Sequence, residues 1–249
     1  MTKPAVIFLD AVGTLFGVQG TVGEIYSRLA QQAGVSVDSQ HLNTAFIDSF
    51  LAAPKAAFPG IEPQALPKHE FLWWQAVARQ AFEEVGVLAN FTDFEQFFRI
   101  LFDHFATPEP WFVYPDVPQA LMQWQQQGIS LGIISNFDSR LHTVLRALDL
   151  RDYFDSVTIS TEIGSAKPNA QVFTAAVAKH QSLHNMVWHI GDSWRDDYEG
   201  AEQAGLTGIW LNRQGGQGNI SQAVNKNHPA ALTSNTREIA NLLELMPVC

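Results

Sequence analysis

Short apolar runs recur along the chain, each followed by small or acidic residues: Ala5–Leu9, Ile129–Ile134, Val157–Ser160, Val187–Ile190 and Gly208–Leu211. A weaker sixth run sits at Ala230–Thr233. Runs this short and unbroken suit strands buried on both faces. Apolar residues at helical spacing fill the intervals, over Val117–Gln127, Arg140–Leu148, Ala170–His180 and Tyr198–Ala204, and a last such segment, Arg237–Leu245, closes the chain. Strands alternating with helices predict an α/β fold, a doubly wound, Rossmann-like parallel sheet covered on both sides. In such sheets ligands gather at the carboxyl ends of the strands, so the polar residues after each apolar run carry the interest.

One interval breaks the alternation. Between the first two runs lie over a hundred residues, far beyond an ordinary βα connection. Helical spacing recurs there over Val22–Ala33, His41–Leu51, His69–Glu84 and Phe91–Ala106, punctuated by Pro54, Pro59, Pro63 and Pro67. Residues 17–110 are therefore expected to form an all-α helical cap inserted into a core of residues 1–16 and 111–249. The aromatics Trp73, Trp74, Phe94, Phe97, Phe98 and Phe102 are expected to form the core of that cap.

Composition narrows the classes of function. No run of about 18 apolar residues is present, so no membrane span is expected. The first strand begins within a few residues of Met1, leaving no room for a signal peptide. The lone cysteine, Cys249, excludes an internal disulfide or a cysteine-rich zinc site. These features together suggest a cytoplasmic protein. The formal net charge of −10 repels nucleic acid and anionic membrane surfaces, so neither is an expected partner. An anionic small molecule would need a locally built site of lysine, backbone N–H groups and a metal ion.

Four polar clusters follow successive strands. The first strand runs into Asp10-Ala11-Val12-Gly13-Thr14, an acid in a tight turn, and carboxylates can attack phosphorus or saturated carbon. The second ends in Ser135-Asn136, a hydroxyl and an amide able to hold an anion; ordinary turn chemistry ahead of a helix capped by Asp138 is the alternative. After the third comes Lys167-Pro168, where proline restricts the lysine backbone. The fourth leads into Gly191-Asp192-Ser193-Trp194-Arg195-Asp196-Asp197, whose three carboxylates repel one another unless a cation joins them. Mg²⁺ suits a few carboxylates with water and substrate oxygens.

In this order the clusters resemble the haloacid dehalogenase-like superfamily of hydrolases over nearly the whole chain, cap included. The resemblance implies Asp10 as nucleophile, Ser135, Asn136 and Thr14 about the transferred group, and Lys167 neutralising that group and Asp10. It implies Mg²⁺ held by Asp10, the Val12 carbonyl and Asp192, with Asp196 or Asp197 serving directly or through water. A small phosphorylated metabolite is the substrate expected.

The nucleophile turn departs from the family phosphatases, which place a second Asp two residues after the first. Val12 stands there and can neither protonate a leaving alkoxide nor activate water. Such a loss is worth on the order of 10²–10⁴ in rate. Three readings follow: a phosphatase for good leaving groups such as acyl or aryl phosphates, a 2-haloacid dehalogenase, or a non-catalytic binding protein. Dehalogenases resemble the turn at Asp10–Thr14, but they work without metal and carry serine at the position of Asp192. The first reading is therefore preferred.

Among other residues, His189 is expected as hydrogen-bonded structure and Arg28 as a surface residue that could approach an anion. His104 and Trp111 could line the cleft. Gly215-Gly216-Gln217-Gly218 lacks the lysine of a phosphate loop and is expected to be a surface loop.

Overall fold

The computed structural model describes residues 3–180, 186–213 and 236–246. Strand β1 (Val6–Leu9) is followed by β2 (Phe16–Val18), helices α1 (Val22–Gln32), α2 (Ser39–Ala52), α3 (Leu66–Glu84) and α4 (Phe94–His104), and β3 (Trp111–Val113). Then come α5 (Val117–Gln126), β4 (Ser130–Ser135), α6 (Leu141–Ala147), β5 (Ser156–Ile159), α7 (Ser160–Ile163) and α8 (Ala170–Val177). The described chain ends with β6 (Val187–Gly191), α9 (Gly200–Gln203), β7 (Thr207–Leu211) and β8 (Glu238–Ile239).

Six strands form one sheet in the order β5-β4-β1-β6-β7-β8, and every pairing in it is parallel. Alternate residues of β1 serve opposite layers, as the two-residue period of a strand demands. Ile7 and Leu9 join Leu121 and Trp124 of α5 and Leu145 of α6; Val6 and Phe8 meet Val172 and Phe173 of α8. Each such side chain, fully buried, contributes roughly 1.5–3 kcal/mol. The central strand is thus fixed from both sides, and its carboxyl end is a rigid platform.

Helices α1–α4 build an apolar cluster of their own, with Leu29, Phe46, Phe82, Phe98 and Leu101 among its buried members. Their starts carry recognisable caps. Thr21 and Glu24 form a reciprocal capping box on α1, and Asp38 and Asp93 accept N–H bonds at α2 and α4. Caps of this kind contribute about 1 kcal/mol each. Pro67 lies in the first turn of α3, where its missing N–H costs nothing. That helix therefore starts three residues before the expected His69. The four helices are tied to the sheet through an antiparallel pair, β2 with β3, in the register Phe16↔Val113 to Val18↔Trp111.

Several expectations need correction. The segment Arg237–Leu245 is not a helix. Its backbone pairs with the sheet edge, Trp210 N–H to Arg237 O at 2.8 Å and Asn212 N–H to Ile239 O at 2.8 Å, before a short 3₁₀ turn at Leu242–Leu245. The helix expected over Tyr198–Ala204 begins earlier, as a π-helical turn at Trp194–Glu199 capped by Ser193, and continues into α9. Asp138 precedes α6, whose N-cap is Arg140. The strand expected at Ala230–Thr233, the loop Gly215–Gly218 and Cys249 lie outside the described residues.

Candidate active site

Asp10 stands directly after β1, its N–H still bonded to Ile190 O at 2.9 Å, so the strand itself aims it. The following turn closes through Leu15 N–H to Ala11 O (2.8 Å) and Gly13 N–H to Phe16 O (2.8 Å). Gly13 has φ +91°, a conformation that favours glycine, and a Cβ there would lie 2.5 Å from Asp192 Oδ2. Gly191 is similarly confined, since a Cβ would overlap the Asp197 carboxylate. Both glycines let acids approach the turn.

Lys167 is the hinge of the electrostatics. Its buried Nζ donates to Asp10 Oδ1 (2.6 Å), Asp197 Oδ1 (2.6 Å) and Ile134 O (2.9 Å). Asn136 clasps the lysine backbone, accepting from its N–H at 2.8 Å and donating to its carbonyl at 3.0 Å. Asp197 also accepts from Ser193 N–H (3.0 Å) and His189 Nε2 (2.8 Å). Burial would raise Asp197, but Lys167 and His189 hold it well below the usual carboxylate range. Asp10 has fewer donors, and burial, against the pull of Lys167, pushes it up to about 6. Burial alone would lower Lys167, yet Asp10 and Asp197 hold its ammonium above the ordinary lysine value.

Asp10, Asp192 and Asp197 can each turn one oxygen to within 4.8 Å of the others. Three buried carboxylates gather about the Lys167 ammonium, and a Cβ at Gly13 or Gly191 would overlap one of them. A hard divalent cation fits that donor set. Asp196, the other acid expected there, faces elsewhere: its carboxylate is ion-paired with Lys55 from the α2–α3 connection and approached by Asn136 Nδ2 at 3.4 Å. The Ser193 hydroxyl caps the turn that carries Asp196 by accepting from the Asp196 N–H at 3.1 Å.

A cavity of about 420 Å³ opens over these groups, lined by Asp10, Val12, Ser135, Asn136, Lys167 and the acids of the β6 loop, and walled by the α1–α4 helices. Thr14, expected at the substrate, is fully buried and donates instead to Asp192 Oδ1 at 3.4 Å. Its carbonyl accepts from Arg213, which also grips Asp116 at 2.9 and 3.1 Å; Asp116 in turn accepts from Leu242 N–H at 2.7 Å. His189 is buried beside Phe173, as structure rather than at the cavity. Trp111 lines the cavity; Arg28 lies in a separate depression and contacts His104 at 3.3 Å.

Sequence reasoning missed the polar seam between helices and sheet. Buried Glu70 of α3 accepts from Ser139 N–H (2.9 Å), Ser139 Oγ (2.5 Å) and Thr161 Oγ1 (2.6 Å). Trp74 Nε1 donates to Asp138 at 2.7 Å, and Arg140 joins Asp138 to Phe102 O. No motif marks these residues; only a glutamate on an otherwise apolar helical stripe could have drawn notice. Of the aromatics expected as cap core, Trp73, Trp74, Phe98 and Phe102 also line the cavity.

Comparison with known proteins agrees with this layout. The family described as haloacid dehalogenase-like hydrolase matches residues 4–205. The haloacid dehalogenase-like hydrolase domain-containing protein 3 of Danio rerio is 30% identical over 211 residues, covering 85% of this chain and 86% of that protein. A HAD phosphatase from Thermococcus onnurineus superposes with a TM-score of 0.63 at 21% identity, over 100% of this chain and 97% of that one. The 2-haloacid dehalogenase from Pseudomonas syringae pv. Tomato DC3000 gives 0.62 at 24%, over 98% and 96%. With residues 4–205 of its 249 matched by the family and the same parallel core, the chain belongs to the haloacid dehalogenase-like hydrolases.

Proposed function

We propose that the protein is a Mg²⁺-dependent phosphatase of small phosphorylated molecules, acting through an aspartyl-phosphate on Asp10. The observation that carries this reading is the buried triad Asp10, Asp192 and Asp197 beside one lysine, a donor set for a hard cation. The metal would be held by those three acids and the Val12 carbonyl, and when bound it offsets charge on phosphoryl oxygens. Asp196 is not among its ligands in this reading.

Each remaining role falls to a residue already fixed by its neighbours. An Asp10 oxygen attacks phosphorus, the bond from phosphorus to the leaving oxygen breaks, and its electron pair departs with the leaving group. Water then attacks phosphorus, the bond to Asp10 breaks, and inorganic phosphate leaves with the carboxylate restored. Lys167 keeps Asp10 oriented and offsets charge on the incoming group, while Ser135 and the backbone N–H groups after β4 hold the phosphoryl oxygens. The helices over the cavity exclude water from the first step. Val12 donates no proton, so the leaving group must be stable unprotonated or supply its own acid.

The test is hydrolysis of p-nitrophenyl phosphate with Mg²⁺. Turnover is expected in the wild type, abolished by Asp10→Asn and removed by EDTA. Full turnover in EDTA would discard the reading.

A further inference from the structure

The substrate's leaving group can be read from the walls of the cavity, an inference that rests on the phosphatase reading. The helical segment lines the cavity largely with rings, including Phe46, Phe50, Trp73, Trp74, Phe98 and Phe102. Phe50 stacks on Trp74 at 5.9 Å and 19°, and Trp73 stands edge-on to Trp74 at 4.7 Å. The polar handles of both indoles are already used, Trp73 on Pro54 O at 2.9 Å and Trp74 on Asp138 at 2.7 Å. What these rings offer a ligand is therefore apolar surface.

Two of the lining cations are similarly committed. Arg140 holds Asp138 through Nε (2.8 Å) and Nη2 (2.7 Å) and lies 3.5 Å over the Phe102 ring, and Lys55 is paired with Asp196. Arg195 lines the cavity too, and is exposed. A polyol would lose hydration against such walls without equivalent partners, and a carboxylate would find Arg140 and Lys55 already paired, with only the exposed Arg195 left to meet it at the rim. A flat apolar body loses nothing there, and about 420 Å³ lies within the range of about 300–1,000 Å³ typical of small-molecule sites.

We propose that the protein takes aryl phosphate monoesters, the aromatic group seated against the Phe50–Trp74 wall while the phosphoryl group meets Asp10. The chemistry at Val12 points the same way. When Asp10 displaces the ester oxygen from phosphorus, the electron pair leaves on a delocalised aryloxide, which requires no proton from the position that valine occupies.

The experiment compares kcat/KM, with Mg²⁺ present, for 1-naphthyl phosphate, phenyl phosphate and acetyl phosphate. The two aryl esters release phenols of similar acidity and differ mainly in apolar area, so their ratio isolates the wall. A naphthyl preference of about tenfold, carried by KM and equal to ~1.4 kcal/mol, is expected. Phe50→Ala should bring the ratio towards one and Phe50→Leu should leave it between, readouts that do not depend on how much of a variant folds. A ratio near one, with acetyl phosphate turned over, overturns the inference and leaves the phosphatase reading standing. A preference that survives both Phe50→Ala and Trp73→Ala also overturns it. Absence of turnover on all three phosphates removes both readings together.

Discussion

Val12 is half-buried, lines the cavity next to Asp10 and bridges to Phe16, so the nucleophile turn is well formed around an apolar side chain. In the proposed reaction its deficit falls on leaving-group departure. Wild-type rates should therefore fall steeply as the leaving group becomes more basic. Val12→Asp should raise kcat/KM for alkyl phosphates by about tenfold or more while changing p-nitrophenyl phosphate little. Kinetics across a graded series of esters measures both slopes, and a shallow wild-type slope would mean that another acid is present. At this scale the sequence was largely readable. Asp10, Lys167, Asp192 and Asp197 follow strands whose apolar runs are unmistakable, and a parallel sheet must bring such ends together. Thr14's place away from the cavity and the choice left open between Asp196 and Asp197 turn on partners from elsewhere in the chain, the Asp192 carboxylate that accepts from the Thr14 hydroxyl and the Lys55 ammonium that pairs with Asp196. Spacing along the chain cannot supply that partner choice.

Helix α3 illustrates the next scale. One face of it packs into the α1–α4 cluster through Val77, Ala81 and Phe82, while Glu70 projects a carboxylate into the sheet side, where three donors meet it. Removing an acceptor from buried donors costs about 1–3 kcal/mol. Glu70→Ala should lower stability by that amount in urea denaturation, and Glu70→Gln, which keeps one carbonyl acceptor, should lose less. A loss in Glu70→Ala no larger than that of a surface substitution, within about 0.5 kcal/mol, would show that the carboxylate is not what joins α3 to the sheet. The helices themselves were foreseeable because their apolar residues recur at helical spacing over long segments. The β2–β3 pair and β8 were not. Strands of three and two residues carry no period of their own, and their pairing is decided by where distant segments meet. The π-helical turn after β6 was similarly hidden, since its cap and its first acids also read as a solvated loop.

For the molecule as a whole, charge and pH are the accessible variables. A net charge of −10 opposes the approach of a phosphate dianion, and added salt screens that repulsion over about 10 Å at 0.1 M. With Mg²⁺ saturating, kcat/KM should rise between low and moderate ionic strength, the reverse of an electrostatically steered enzyme. A falling profile would mean that the local field at the cavity dominates. Stability should respond to pH at the other end of the sheet. His180 lies edge-on to Phe8 at 5.1 Å and meets Ser130 Oγ at 3.0 Å and Ser156 Oγ at 2.7 Å. Burial lowers its pKa below the ordinary 6.5, with Lys179 acting in the same sense and Asp155 opposing. The unfolded chain then binds the proton more readily, so the contribution is complete above about pH 6.5 and is lost as pH falls below it. The urea midpoint of the wild type should drop between pH 7.5 and 5.5 by more than that of His180→Gln. No helix among the described residues is long and apolar enough to cross a membrane.

The link from Thr14 through Arg213 and Asp116 to Leu242 gives the far end of the polypeptide a say in the shape of the nucleophile turn. Breaking that link at Arg213, outside every strand, would slacken a guy-rope on Asp10, so damage there would register first as faulty chemistry, with the strands of the sheet still in place.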